Sequence, residues 1–279
     1  MSGFESGFFE RRDITKQISF FSLESIVIIG SGNVAESLAL AVAGSGLRLV
    51  QIFARNAARA QEVAVAAGCG WASQPEELAA ADLYLLAVSD RAVAEVAATL
   101  PFPDHAAVAH TAGSVPLEAL PAKFARRAVF YPLQTFTQGR RVDFRDIPLF
   151  IEASTPALQT ELETLARRIS RHVFAADSAR RAQLHLAAVF VCNFVNHMYA
   201  VGARLMGDAG LDFALLKPLI AETTAKSLDA ASPGAVQTGP AVRGDLPTQQ
   251  RHASMIDDRL LRMIYIAISQ HIWETSRKM

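Results

Sequence analysis

Short runs of β-branched and aliphatic residues alternate with Ala-rich stretches over most of the chain's first two thirds. The run IVIIG at 26–30 predicts a strand, and VAESLALAVAGSG at 34–46 a helix stopped by glycine. RLVQIFAR at 48–55 is a second strand, NAARAQEVAVAAG at 56–68 a helix with a Gly stop, and PEELAAA at 75–81 a short helix opened by proline. DLYLLAV, AAVAH, AVFYPL, PLFIEA and HVFAAD follow as further strands, the last ending at Asp177. These strands are continuous apolar runs with little alternation, as burial on both faces requires. The pattern predicts an α/β fold with a doubly wound parallel Rossmann sheet.

Beyond Asp177 the strands stop. One long helix is expected from about Ala179 to Asp208 and another from Phe213 to about Ala230. A Gly/Pro-rich connection and a final helical stretch follow, so the second part is a smaller all-helical domain. The expected division is an N-terminal extension at 1–23, a dinucleotide-binding domain at 24–176 and a helical substrate and dimerisation domain at 177–279. The first long helix is apolar over most of its circumference, which calls for cover on all sides. In so small a domain a second copy of the chain is an economical cover, and a homodimer is expected.

GSGNVA, from Gly30 to Ala35, matches the G-x-G-x-x-G/A fingerprint between a strand and a helix. Gly30 permits the tight turn, Gly32 keeps the backbone open to a pyrophosphate, and Ala35 lets the helix pack close. Ser31, Asn33 and Val34 complete the turn, where free helix N–H groups attract an anion. A plain structural turn would also use glycines here. At the end of the second strand, FARN offers Arg55 and Asn56 and no acid to meet a ribose hydroxyl. Arginine pairs with a 2′-phosphate, so NADP is favoured over NAD.

The loops after later strands supply Ala87, Val88 and Ser89 beside the nicotinamide ribose. His110, Thr111, Gly113 and Ser114 follow the fifth strand, and Tyr131, Pro132 and Gln134 the sixth. Ligands in such sheets lie outside the carboxyl ends of the strands. On the long helix, Asn193, His197 and Arg204 fall within about 40° of one another at regular helical spacing. That stripe is either a hydrogen-bonded seam between subunits or the lining of a cleft, with His197 or Asn193 beside the reacting atom. His185 and Asn196 lie on a different arc. Arg243 is a candidate carboxylate clamp, and Asp245 is spaced to cap the helix that follows it.

The order GSGNVA, LLAVSD, HTAGS, FYPLQTF, LHLAAVFVCNFVNHMYAVG and TGPAVRGD resembles a family of Rossmann-type proteins. That family is similar to pyrroline-5-carboxylate reductase, ketopantoate reductase and the deazaflavin-dependent NADP oxidoreductases. The likeness runs from Ile26 to about His271. It implies two domains, an NADP-dependent oxidoreductase and a dimer that interleaves the helical domains. In pyrroline-5-carboxylate reductases a small Ser/Gly-rich segment of the long helix faces the imino acid. The corresponding residues here, Cys192 to Asn196, are larger, which argues against proline biosynthesis.

Composition narrows the rest. With 27 basic and 27 acidic residues the net charge is zero, and no long basic stripe invites nucleic acid. His185, Asn193, Asn196, His197 and Arg204 interrupt the most apolar segment, which argues against a membrane span. Histidines and cysteines show no metal-ligand spacing, so no metal is expected. Cys69 and Cys192 suit a reducing cytoplasm. The resulting expectation is hydride transfer between NADPH and a small carboxylate-bearing carbonyl or imine, with His197, Asn193 or His110 as catalytic groups. A non-catalytic NADP sensor or scaffold is the alternative.

Overall fold

A computed structural model describes residues 23–277. The N-terminal extension expected at 1–23 lies outside the described residues apart from Leu23. The chain forms two compact units that divide between Val195 and Asn196. The long helix therefore begins in the first unit, beyond the division expected near Asp177.

The first unit is built on one eight-stranded sheet of order β3-β2-β1-β4-β5-β6-β7-β8. Its strands are β1 (Ser25–Ile29), β2 (Arg48–Phe53), β3 (Gly70–Ala72), β4 (Leu83–Leu86), β5 (Ala107–His110), β6 (Arg127–Pro132), β7 (Leu149–Ala153) and β8 (Val173–Ala175). The helices α1 (Asn33–Gly44), α2 (Ala57–Ala67), α3 (Val93–Thr99) and α4 (Pro156–Ala166) cross between them. Ile26 and Ile28 of β1 enter one buried cluster, while Val27 and Ile29 enter another. Both faces of the strand are thus dry, which explains its unbroken apolar run.

Three details depart from the pattern-based expectation. The sheet is mostly parallel, but β7 runs antiparallel to β6. Residues 133–148 make only a 3-10 turn at Phe144–Asp146 and no crossover helix, so the chain can only return alongside β6. PEELAAA shrinks to a 3-10 turn, Pro75–Glu77, closed by the Leu78 N–H on the Pro75 carbonyl. Helix α4, like α3, has no counterpart among the expected elements. Its Thr155 side chain caps the Leu158 N–H, Pro156 occupies the first turn, and Leu158, Leu162 and Leu165 are buried.

From Ser178 to Asp208 the chain is one continuous helix of 31 residues, with mean hydropathy 1.4 over its most apolar stretch. By length and composition alone it could cross a membrane. It comprises α5 (Ser178–Ala188), a π-helical segment (Val189–Phe194) and α6 (Val195–Asp208). Its start is fastened to the first unit: Arg181 is buried and ion-paired with Glu152 of β7. Glu152 also accepts from the Ser178 hydroxyl at 2.8 Å.

The second unit contains most of α6 together with α7 (Lys217–Asp229), α8 (Leu246–Ser254) and α9 (Arg259–Ser276). Asp245 caps α8 by accepting from the Thr248 N–H, as its spacing predicts. The unit buries few apolar side chains among the described residues: Ala241, Ile256 and Leu261. Leu205, Leu219, Leu260, Met263 and Ile266 are exposed.

Candidate active site

The carboxyl ends of β1, β4 and β6 open into a cleft of about 770 Å³ within the first unit. Gly32, Asn33 and Val34 line one part, Ala87, Val88 and Ser89 another, and Tyr131 and Gln134 a third. The start of the long helix closes the lining with His185, Cys192 and Asn193 among others. The fingerprint turn and two of the three strand-end loops predicted from sequence thus meet in one place.

The two fingerprint glycines do different work. Gly30 adopts φ +123°, and a Cβ there would sit 2.3 Å from the Ala87 carbonyl oxygen. Its own N–H donates to the Phe53 carbonyl at 2.7 Å. Gly30 is therefore required by the close approach of β1 to β4. A Cβ on Gly32 would meet nothing within 4 Å, so the space in front of it is open. Gly32 is also the N-cap of α1 and offers no side chain to satisfy the first N–H groups. That combination is an open-faced anion cradle at a helix N-terminus, and it fits a pyrophosphate.

In the first turn of α2, Arg59 is bound to Glu36 at 2.5 Å and to Glu62 at 2.7 Å, and its Nε donates to the Ser31 carbonyl. Asn56 spends its side-chain oxygen as the N-cap of α2, accepting from the Arg59 N–H. Its expected role at the cofactor is thus largely taken up by capping. Arg55 is exposed and makes no ion pair among the described residues, so its guanidinium is available to a 2′-phosphate. Asn33 holds the β6–β7 loop against the turn, its Nδ2 donating to the Phe136 carbonyl at 3.0 Å.

The remaining predicted residues divide sharply. His110 is fully buried. Its Nδ1 accepts from the Ala112 N–H at 3.2 Å and its Nε2 faces the Pro116 carbonyl at 3.3 Å. Burial, with the nearby Arg181 charge, pushes its pKa down to about 4. A neutral imidazole with both nitrogens committed to backbone is a structural brace, which corrects the expectation of a proton donor here. Thr111 is buried with its hydroxyl on the Leu86 carbonyl, and Ser114 donates to Asp90 at 2.6 Å. Neither they nor buried Pro132 line the cleft.

Tyr131, by contrast, faces the cleft and meets His185, with 3.2 Å between Oη and Nδ1. Gly113 makes room for both: a Cβ there would lie 2.6 Å from His185 Nδ1 and 2.7 Å from Tyr131 Cζ. Regular helical spacing sets His185 about 80° away from Asn193. The π-helical segment between them absorbs about one extra residue, which brings the two onto nearly the same face. His197 belongs to the second unit and is exposed, and Arg204 there pairs with Asp258 at 3.5 Å. Arg243 is likewise an exposed residue of the second unit. The expected stripe of Asn193, His197 and Arg204 is therefore divided between the two units.

No group of three or more His, Cys, Asp or Glu among the described residues is placed to hold a metal. A second concavity of about 690 Å³ carries Arg140, Arg141, Arg145 and Arg168 and shares no residue with the strand-end cleft.

A protein from Bacteroides fragilis, assigned as an NADP oxidoreductase, is 39% identical, covering 92% of this chain and all of its own, with a TM-score of 0.85. Residues 25–113 match the family model described as NADP oxidoreductase, coenzyme F420-dependent. At 39% identity over 92% of its length, the chain belongs to the NADP oxidoreductase family of the Bacteroides fragilis protein. Residues 147–272 match a second model, described as a domain of unknown function (DUF2520).

More distant structures share the family's fold. A reductive aminase from Aspergillus terreus, in complex with NADPH and ethyl levulinate, is 15% identical with a TM-score of 0.66. The likeness covers 91% of this chain and 95% of the aminase. A pyrroline-5-carboxylate reductase from Coxiella burnetii is 15% identical with a TM-score of 0.51, covering 92% and 98% of the two chains. No curated protein matches the chain. The family's cofactor is NADP, and the cradle at Gly32 with the free Arg55 is the part of this chain suited to it.

Proposed function

We propose that the protein uses NADPH to reduce a small carbonyl or imine compound that carries a carboxylate. The observation that carries this reading is the cleft itself: one concavity joins the open glycine cradle to a set of polar side chains at the strand ends. Bound NADPH supplies the hydride, and the chain supplies placement and electrostatics. Gly32 and the first turn of α1 hold the pyrophosphate, and Arg55 holds the 2′-phosphate. Ala87, Val88 and Ser89 border the nicotinamide ribose. No lysine or arginine lines the cleft within the first unit. There the carboxylate is held by neutral donors such as Ser89, Gln134, Thr135 and Asn193.

A homodimer accords with the helical half. Its few buried apolar residues cannot stabilise a unit of this size, and its exposed leucines and isoleucines need cover. A second copy of the chain supplies it. Cys69 and Cys192 are free thiols, in keeping with a reducing cytoplasm.

The test follows loss of reduced-nicotinamide absorbance with glyoxylate and pyruvate, each with and without methylamine to form the imine, against uncharged propanal. Oxidation of NADPH only with the carboxylate-bearing acceptors is expected. Faster reaction with propanal would refute the carboxylate requirement. Tight NADPH binding with no turnover of any acceptor would favour a sensor.

A further inference from the structure

Gly113, after β5, packs against two residues that line the cleft from separate segments, Tyr131 in β6 and His185 on α5. Tyr131 and His185 touch edge to face, with ring centroids 6.2 Å apart and 3.2 Å between Oη and Nδ1. The contact exists only because residue 113 lacks a side chain, since a Cβ there would overlap both rings. It is also held from behind. Arg181, one helical turn before His185, is buried and ion-paired with Glu152, which pins the helix to the sheet. Among the residues lining the cleft only Tyr131, His185 and Cys192 carry a group that titrates.

We propose that Tyr131 is the proton donor of this cleft and that His185 restores its proton. The proposal rests on the reduction argued above and names the residues that complete it. The acceptor carbon takes a hydride from the bound reduced cofactor, which leaves oxidised. The π pair of the C=O or C=N bond moves to the heteroatom, which takes the phenolic proton of Tyr131. The phenolate recovers a proton from Nδ1 of His185, and His185 recovers its own from water.

The surroundings suit a donor. Burial holds the Tyr131 phenol above its ordinary pKa, the Asp90 carboxylate adds to this, and Arg181 opposes it. The phenol therefore stays protonated at neutral pH. When the imidazole carries two protons, its Nδ1–H donates to Oη, which turns the phenolic hydrogen towards the acceptor. Turnover should then fall with rising pH in the wild type and not in a variant that cannot hold that second proton. The charges that act on Tyr131 are those of Asp90 and Arg181, and Arg181 is itself paired with Glu152.

The experiment compares the wild-type protein with Tyr131→Phe and His185→Asn. It measures NADPH affinity by fluorescence, kcat and KM on glyoxylate with and without methylamine across pH, and the His185 ring resonance in the cofactor-free protein. Tyr131→Phe should keep NADPH affinity and KM while kcat falls by about 10²–10⁴-fold. His185→Asn keeps a polar atom at the Nδ1 position and should abolish the high-pH fall in kcat. Tyr131→Phe should also move the His185 titration midpoint. A Tyr131→Phe kcat within about threefold of an active wild type would overturn the proposal and leave NADPH-dependent reduction standing. If the wild type binds NADPH but reduces neither probe, the reduction itself fails. The pair is then judged by resonance alone, and an unmoved His185 midpoint would overturn it too.

Discussion

Replacing His110 by glutamine should remove a large part of the protein's sensitivity to mild acid. In the folded chain the imidazole is fully buried, is braced on Ala112 and Pro116, and has its pKa lowered from 6.5 to about 4. The unfolded chain exposes the same group to water at its ordinary value. Between those two values the unfolded state binds a proton that the folded state refuses. The stabilising contribution is thus complete above about pH 6.5 and is lost as pH falls towards 4. Between about pH 8 and pH 4.5 this one group should cost about 2.5 kcal/mol. Asp82, Asp245 and Asp258 are held below their ordinary value of 3.8, so their own losses begin mainly at lower pH. Urea denaturation at the two pH values, for wild type and His110→Gln, isolates the term as the difference between two slopes. Glutamine cannot titrate, so the wild type should lose about 2.5 kcal/mol more than the variant. Parallel losses would refute the argument, and with it the assignment of His110 as a buried neutral brace.

Arg55→Ala should weaken NADPH binding by about 10–100-fold, the worth of a charge-assisted hydrogen-bonded contact, and leave NADH binding almost unchanged. Calorimetry with both cofactors checks this, and an equal loss for both would remove Arg55 from the 2′-phosphate site. Light scattering at micromolar concentration should give about twice the 30.1 kDa chain mass. A chain-mass particle at that concentration would rule out the dimer.

The cofactor half was legible from residue types because its chemistry is local. A strand, a glycine turn and a helix lie within one short stretch, and backbone geometry alone decides what GSGNVA can hold. The continuous apolar strands likewise announced a sheet buried on both faces. The antiparallel return of β7 was not announced, because nothing in its apolar run records its direction; the lack of a crossover helix decides it.

The catalytic half reads differently. Regular helical spacing singles out His197 and sets His185 aside, and its place at a strand end marks His110 as a catalytic candidate, although burial makes it a brace. The π-helical segment brings Asn193 onto nearly the face that carries His185, and only long-range pairing shows that Gly113 exists to admit His185 beside Tyr131. Nor does any local pattern pair buried Arg181 with half-buried Glu152, 29 residues away. A sequence records which groups a chain carries and the local turns they can make. Which of them are stripped of water, and which face one another across separate strands, is decided when the sheet closes.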